Sequence, residues 1–284
     1  MIKSGTSMKK NYPKKEEKIP DYLTPLLTIA PATWALIRAN EIRAVDRVTF
    51  KHPVLDVGCG NGTVAKVILK PRKDKFDVGI DLSPSEIALA KKSGSYKKAL
   101  VENVYNLPFK AGSFNTVFSN SVIEHIPDLD KTLSEISRVL KKKGEFVITV
   151  PTSYLTEYLF GYRFFNALGM KPLAVQYGKF FNSVFKHKNL YTHKQWEKLL
   201  KKYDLKVESY YYYHSVKMVQ MHELLAYLAL PYFISKIFVG YWVVFPSMRK
   251  VLVVPWLRKM LYPYYLDEAK RNEGGSLLVV AKKI

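Results

Sequence analysis

An α/β fold, a parallel sheet with helices on both faces, is predicted by three features of the sequence. Short apolar strands alternate with helical patterns between residues 52 and 151. The first strand runs directly into a glycine-rich turn that opens a helix. The last strand of this region, EFVITVP (145–151), is closed by a proline. Strands and helices alternating at this spacing build parallel βαβ units rather than hairpins.

Taken in order, residues 1–20 carry six lysines and almost no apolar side chain, so they read as a flexible basic tail without the apolar stretch of a secretory signal. Residues 31–47 are helical, with Trp34, Ile37, Ile42 and Val45 near helical spacing. HPVLDV (52–57) is the first strand and NGTVAKVILK (61–70) its helix. FDVGID (76–81) is a strand, followed by SPSEIALAKK (83–92), a helix with Ser83 as N-cap and Pro84 in its first turn. SFNTVFSN (113–120) is the next clear strand. DLDKTLSEISRVLKKKG (128–144) is an amphipathic helix with lysines in its last turn and Gly144 as its stop. Residues 152–190 are aromatic and irregular, HKQWEKLLKKY (193–203) is a helix, and LKVESYYYYHSV (205–216) and GGSLLVVAKKI (274–284) are strands.

The chain has 284 residues, 48% hydrophobic and 24% charged, a globular rather than a disordered composition. Its single cysteine, Cys59, forbids an internal disulfide and excludes cysteine-rich zinc or iron–sulfur sites built from this chain. The net charge is +21, and 20 Tyr and 15 Phe accompany it. Residues 21–140 are nearly balanced, while 141–284 carry 23 basic against 9 acidic side chains. A basic, aromatic-rich chain points to nucleic acid or to an anionic membrane, and composition alone does not choose.

VLDVGCGNG (54–62) is the strongest local signal. Gly58 and Gly60 let the backbone approach a ligand with no Cβ in the way, Gly62 permits close packing, and the helix start adds N–H donors. Thr63 stands where a dinucleotide fingerprint needs its third glycine, which weakens nicotinamide or flavin binding. A purely structural turn would share this pattern. Asp81, closing the second strand, can accept both hydroxyls of a ribose. Its other reading is a cap for the next helix, a role Ser83 already fills.

With VLDVGCGNG, GIDLS (79–83), ENVYNLPFKAGSFNTVFSNSVIEHIPD (102–128) and LSEISRVLKKKGEFVITVP (133–151) in order, the chain resembles the class I S-adenosylmethionine (SAM)-dependent methyltransferases, especially the quinone-biosynthesis branch. The resemblance covers roughly residues 50–151; residues 190–216 and 274–284 follow it more loosely. It implies a Rossmann-like, doubly wound, seven-stranded sheet whose last strand is antiparallel. It implies SAM as cofactor, with Asp56, Gly58, Cys59, Gly60 and Gly62 facing the methionine part, Asp81 on the ribose and Leu82 against the adenine. Asn103 stands where many relatives carry Asp for the adenine amino group, Val104 would offer its N–H to the ring, and Asn120 would lie beside the amino-acid end.

Methyl transfer from a sulfonium needs alignment, exclusion of water and sometimes removal of a proton, so no triad is expected. His125 in IEHIP is the candidate base, the family alignment setting it at the mouth of the site; alternatively the Glu-His pair only stabilises its loop. His187, Tyr191 and His193 lie on the substrate side and read as structural or surface residues. No metal is implied, because Asp128 and Asp130 sit at a helix start, where acids serve the dipole.

The expected organisation is a basic tail (1–20), a cofactor core (21–151), a substrate-side lid with the sixth strand (152–216), an apolar helical insert (217–273) and a final core strand (274–284). Within the insert, LLAYLALPYFISKIFVGYWVVF (224–245) has one charge, Lys236, and VLVVPWLRKMLYPYYL (251–266) has two. A single crossing of a bilayer fails on topology, because both flanking strands belong to one sheet, and Pro231, Pro246, Pro255 and Pro263 are expected to break the helices. The insert reads as a helical lid that either dips into an anionic membrane interface through 217–266 or packs on its own domain or a second copy. The expected acceptor is a small hydrophobic or lipid-linked molecule, and the location cytoplasmic, peripheral on the inner face of the cytoplasmic membrane. An RNA methyltransferase is the alternative suggested by charge, against which SNSVIEHIP lacks the Asn/Asp-Pro-Pro-Tyr/Phe motif; a non-catalytic SAM-binding subunit is the third.

Overall fold

A computed structural model describes residues 19–229, 243 and 245–284. Its strands are β1 (Val54–Val57), β2 (Phe76–Asp81), β3 (Tyr96–Val101), β4 (Phe114–Asn120), β5 (Leu140–Pro151), β6 (Leu205–Tyr213) and β7 (Ser276–Lys283). They form one sheet in the order β3-β2-β1-β4-β5-β7-β6. Strands β1 to β5 run parallel, and β7 is antiparallel to both β5 and β6. This is the expected seven-stranded sheet. Central β1 is buried at all four positions, as a strand covered on both faces must be.

Helices α1 (Leu23–Ile29), α2 (Ala32–Val45), α3 (Thr63–Leu69) and α4 (Pro84–Ser93) belong to one layer, where Leu26, Leu36, Ile42, Ile68 and Ile87 share a core with Phe76 and Phe118 of the sheet. Helices α5 (Leu129–Val139) and α9 (His193–Lys201) cover the opposite face through Leu133, Ile136, Trp196 and Leu200. The Ser83 side chain accepts from the Glu86 N–H and caps α4, as its sequence predicts.

Three expectations are corrected. Strand β3 has no clear sequence signal, because in YKKALV the exposed Lys97 and Lys98 break the apolar pattern; β3 is an edge strand, where such charges discourage further pairing. The helix expected over 128–144 ends at Val139, because Leu140 turns extended and pairs with Phe114, leaving the Lys-Lys-Lys-Gly segment to an irregular stretch of β5 with Lys143 at φ 64°. The segment 152–190 is largely helical, as α6 (Tyr154–Tyr158), α7 (Phe160–Ala167) and α8 (Lys171–Val184). Its aromatics face solvent as well as core, and α7 buries no residue at all although its sequence is amphipathic.

Between β6 and β7 the described residues form α10 (Val216–Tyr227), α11 (Pro246–Leu252) and α12 (Val254–Leu266). Pro246 and Pro255 stand in the first turns of α11 and α12, where a missing N–H costs nothing, and Pro263 lies inside α12. Pro231 and residues 230–242 of the apolar run lie outside the described residues, as do residues 1–18 of the basic tail. Among the described residues no helix is long and apolar enough to cross a membrane. The insert is tied to the core by Arg249, whose guanidinium donates to the Leu27 carbonyl (2.8 Å) and the Ala30 carbonyl (3.1 Å). These are carbonyls at the C-terminal end of α1, where a cation is favoured.

Candidate active site

Where β1 ends, the chain turns through three residues of positive φ: Gly58 (74°), Gly60 (51°) and Gly62 (76°). Gly58 and Cys59 both donate to the Ile80 carbonyl, at 2.8 and 2.9 Å, which holds the turn against the end of β2. A Cβ on Gly58 would lie 2.4 Å from a Val122 methyl, so the backbone is pressed against the segment after β4. A Cβ on Gly62 would lie 2.6 Å from the Ser93 hydroxyl, so this glycine packs α3 onto the end of α4. Around Gly60 the space is open, its hypothetical Cβ being 3.8 Å from the nearest Glu86 oxygen.

Asp81 sits beside this turn, and both its oxygens are used: one accepts from the Gly60 N–H (3.0 Å), the other from the Ser83 N–H (2.9 Å). The cap and the ligand readings of Asp81 are therefore compatible, since each carboxylate oxygen keeps a second lone pair. Leu82 follows it with 68% of its surface exposed, an apolar side chain with no protein to cover it. The Asn103 side-chain oxygen accepts from the Tyr105 N–H (3.0 Å), a local turn that leaves the Val104 N–H without a protein acceptor among the described residues.

Asp56 is buried and accepts from the Tyr96 hydroxyl (2.7 Å). Burial lifts its pKa to about 7; the Tyr96 hydrogen bond opposes the shift and the Asp81 charge adds to it. Burial likewise pushes the Cys59 thiol up, so it is not a thiolate nucleophile at neutral pH. Asn120 closes β4 and is bonded to α2 and β5: its amide donates to Glu41 (2.8 Å) and its oxygen accepts from Thr149 (3.0 Å).

Glu41 belongs to a group of residues not singled out from sequence. Arg38 pairs with it at 2.5 Å, the Ser121 hydroxyl donates to it, and the Thr149 hydroxyl, 3.1 Å away, shares its one proton between it and Asn120. Burial works against its charge, but Arg38 and the Ser121 and Asn120 donors hold it below the usual carboxylate range. This pair floors a cavity of about 230 Å³ bounded by α2, the segment after β4, α8 and α10. Trp34, Leu155, Phe181, Phe185 and Ala226 give it apolar walls, and four histidines reach it: His125, His187, His214 and His222. Burial drives His187 and His222 down to about 4 and His214 to about 3, so all three are neutral at pH 7. The Ser121–Val122 segment joins cavity and glycine turn, since Ser121 lines the one and Val122 abuts the other.

His125 follows Ile123 and Glu124 in a single 3₁₀ turn (Ile123–His125) after β4. Its Nδ1 lies 3.1 Å from the Lys186 carbonyl, which only accepts, so Nδ1 carries the proton and Nε2 keeps its lone pair. Burial lowers its pKa, opposed by that carbonyl, so the ring is a neutral base. Glu124 is 2% exposed with its Oε1 3.6 Å from His125 Nε2, beyond hydrogen-bond length. Burial pushes Glu124 up to about 8, its own N–H and Arg38 pulling the other way. His187 lines the cavity with His125, their rings 5.8 Å apart, whereas His193 stacks on Tyr210 and Tyr191 packs edge-on to Trp196. Asp128 caps α5 by accepting from the Lys131 N–H, as its sequence position predicts. Among the described residues no three His, Cys, Asp or Glu side chains form a metal-binding group.

Residues 55–148 match the family described as methyltransferase domain. The chain is 32% identical over 126 residues to the putative methyltransferase YrhH of Bacillus subtilis, covering 42% of this chain and 70% of that protein. It is 28% identical over 128 residues to the ubiquinone biosynthesis O-methyltransferase of Pelagibacter ubique, covering 44% of this chain and 52% of that one. The chain spans about half the length, or less, of the first curated relatives it matches. The fold is shared with a SAM-dependent methyltransferase of Thermotoga maritima, a possible histamine N-methyltransferase, at TM-score 0.52 and 16% identity over 89% of this chain and 91% of that one.

Proposed function

The chain belongs to the SAM-dependent methyltransferase family, and from that premise we propose that it binds SAM across the glycine turn and methylates a small hydrophobic acceptor held in the histidine-lined cavity. The reading is supported by one juxtaposition: the glycine turn, open at Gly60 and bonded to Asp81, lies at the carboxyl ends of β1 and β2 with an exposed Leu82 beside it, and Val122, which abuts that turn, follows Ser121, which lines the cavity. The residues present fit the nucleoside. Asp81 takes the ribose hydroxyls, Leu82 covers one face of the base, and Val104 donates to its edge. When bound, SAM supplies an electrophilic methyl with a good leaving group. The cavity walls hold the acceptor against that methyl and exclude water, and His125 Nε2 receives the acceptor's proton.

Asp81→Ala is the test. SAM affinity measured by calorimetry is expected to fall by at least about tenfold, since a buried ligand hydroxyl loses its charged acceptor. Unchanged affinity refutes the ribose role.

Contact with an anionic membrane is the second reading, favoured by one specific observation. Phe160, Phe164, Phe180 and Val184 on α7 and α8, and Val251 and Trp256 on α11 and α12, are each at least half exposed, within the half of the chain that carries the basic excess. Apolar side chains among lysines suit a lipid interface, and α8 and α10 also wall the cavity, so a lipid-soluble or lipid-linked acceptor would reach it from the bilayer. Phe180→Glu combined with Val184→Glu should release the protein from phosphatidylglycerol vesicles in a sedimentation assay. Retention on the vesicles, or salt-sensitive binding of RNA in their place, refutes this attachment.

A further inference from the structure

Among the described residues, three imidazoles that line the cavity keep a free lone pair, and their partners fix which nitrogen carries it. The Asn182 amide donates to the Thr156 hydroxyl (2.9 Å), so its oxygen accepts from His187 Nδ1 (3.2 Å), which holds the proton of that ring. The Thr33 hydroxyl donates to the His222 carbonyl (3.2 Å), so His222 Nδ1, 2.7 Å from that hydroxyl and 3.4 Å from the Thr33 carbonyl, is a donor too. His125 spends its proton on the Lys186 carbonyl. The Nε2 atoms of all three therefore accept only. None has a donor among the described residues, and none is among the fully buried unpaired atoms, so they are open to the cavity. His214 differs, both its nitrogens being bonded, to Ser276 (2.8 Å) and to the Ile37 carbonyl (3.2 Å).

We propose that the acceptor methylated here is a primary amine on an apolar body, its two N–H groups donating to His125 Nε2 and His187 Nε2. This deepens the methyltransferase reading and rests on it. The two rings lie 5.8 Å apart and nearly parallel, at 23°, a spacing that one NH2 group can bridge. His222 stands farther along the same wall, with Phe185 stacked against His187 and also packed against His222. A hydroxyl brings one donor and leaves the second imidazole unpaired; a carboxylate brings none and sets its oxygens against lone pairs. With both N–H groups engaged, the lone pair of the amine nitrogen is left for the methyl. That lone pair exists only in the uncharged amine, and the site favours this form. Burial and, less strongly, the Arg38 charge lower the pKa of His125 and His222, and the same influences act on an ammonium. Of the carboxyl groups in the cavity, Glu41 is paired with Arg38, and burial keeps Glu124 neutral at pH 7. As the nitrogen bonds to the methyl, the carbon–sulfur bond breaks and its electron pair stays on sulfur. One of the two nitrogen-bound protons passes to His125 Nε2 and on to solvent. The product has one N–H where the substrate had two, so it binds less well and leaves after a single methylation.

The test uses the full chain saturated with S-adenosylhomocysteine at neutral pH, where an arylamine is uncharged. Calorimetry measures the binding of four probes of one shape: indane, 5-indanol, 5-aminoindane and indane-5-carboxylate. Each hydrogen bond gained is worth about fivefold, so 5-indanol should exceed indane by about fivefold, 5-aminoindane should exceed it by about twentyfold, and the carboxylate should not exceed it. His187→Phe should bring 5-aminoindane down to the level of 5-indanol while indane affinity holds, and His222→Phe should keep the ranking. 5-Indanol binding as tightly as 5-aminoindane overturns the proposal, as does tightest binding of the carboxylate, which would make Arg38 an anion site. Loss of the amine's advantage in His222→Phe and not in His187→Phe overturns the assignment to His187. The ranking on the unaltered chain decides the substrate class even where a variant fails to fold, which urea unfolding checks. Failure of S-adenosylhomocysteine itself to bind would instead refute the cofactor reading, so the two failures are distinct.

Discussion

Replacing Gly58 by alanine tests how closely the glycine turn is pressed against the segment after β4. The new Cβ would meet Val122 Cγ2 at 2.4 Å and Cγ1 at 2.6 Å, on a backbone at φ 74°. The left-handed conformation costs an L residue about 1 kcal/mol. Overpacking of two methyls costs about 1–3 kcal/mol more. The expected loss is therefore about 3 kcal/mol, a sizeable part of the 5–15 kcal/mol typical of a folded domain. Val122→Ala removes both methyls and leaves only the Cβ contact at 2.9 Å. In that background Gly58→Ala should cost about 1–2 kcal/mol less, a coupling that a double-mutant cycle isolates. Urea unfolding of the four proteins, followed by tryptophan fluorescence, gives the numbers. Equal penalties in both backgrounds would refute the reasoning, because the cost would then be conformational and owe nothing to the close approach that shapes the crevice.

Asp56 is expected to make stability fall as pH rises. Its pKa is raised from 3.8 unfolded to about 7 folded, so the stability it contributes is complete below pH 3.8 and is lost as pH climbs to about 7. Asp56→Asn, which still accepts from Tyr96, should remove that trend and gain on the wild type by about 1 kcal/mol per pH unit between pH 4 and 7, read from urea midpoints; parallel pH profiles would disprove the shift. Arg249→Met strips two carbonyls at the end of α1 of a charged donor and should cost about 3 kcal/mol, and a urea midpoint equal to that of the wild type would show the tie to be idle. His125→Ala should lower transfer of labelled methyl from SAM into a lipid extract about a hundredfold while SAM affinity holds; full activity would leave His125 a loop residue.

What was legible in the sequence was local. The run from Val54 to Ser93 carries its own instructions: an apolar strand, a glycine turn, a Ser83 cap and a Pro84 start, each decided by neighbours a few residues away. The residues proposed to hold SAM lie on that run, on the loop after β3 and, for Asn120, at the end of β4, each beside a recognisable strand. The cavity was hidden because distance along the chain conceals it. His222 meets Thr33 across 189 residues, and Glu41 collects donors from β4 and β5, so no spacing rule links them. Arg38 and Glu41, three residues apart in a helix, carry no local sign of burial; only the packed structure shows Glu41 buried and Arg38 partly covered. The Glu124–His125 pair could be seen, but not that Glu124 is the more deeply buried of the two. The aromatic segment 152–190 is a different case: its helices do carry an amphipathic pattern, but adjacent aromatics such as Phe164–Phe165 and Phe180–Phe181 blur the helical period.

Strand β7 is wedged between β5 and β6, and β6 has no other neighbour in the sheet. During synthesis the ribosome therefore makes β6 long before there is anything for it to pair with, since residues 276–283 emerge only after the whole insert. Until then the outer edge of β5 stays bare, and β6 waits with its tyrosines uncovered. Assembly divides in two: β1 to β5 can form while the chain is still growing, whereas the β7–β6 side of the sheet, with Ser276 at the cavity wall, is completed in a single late insertion.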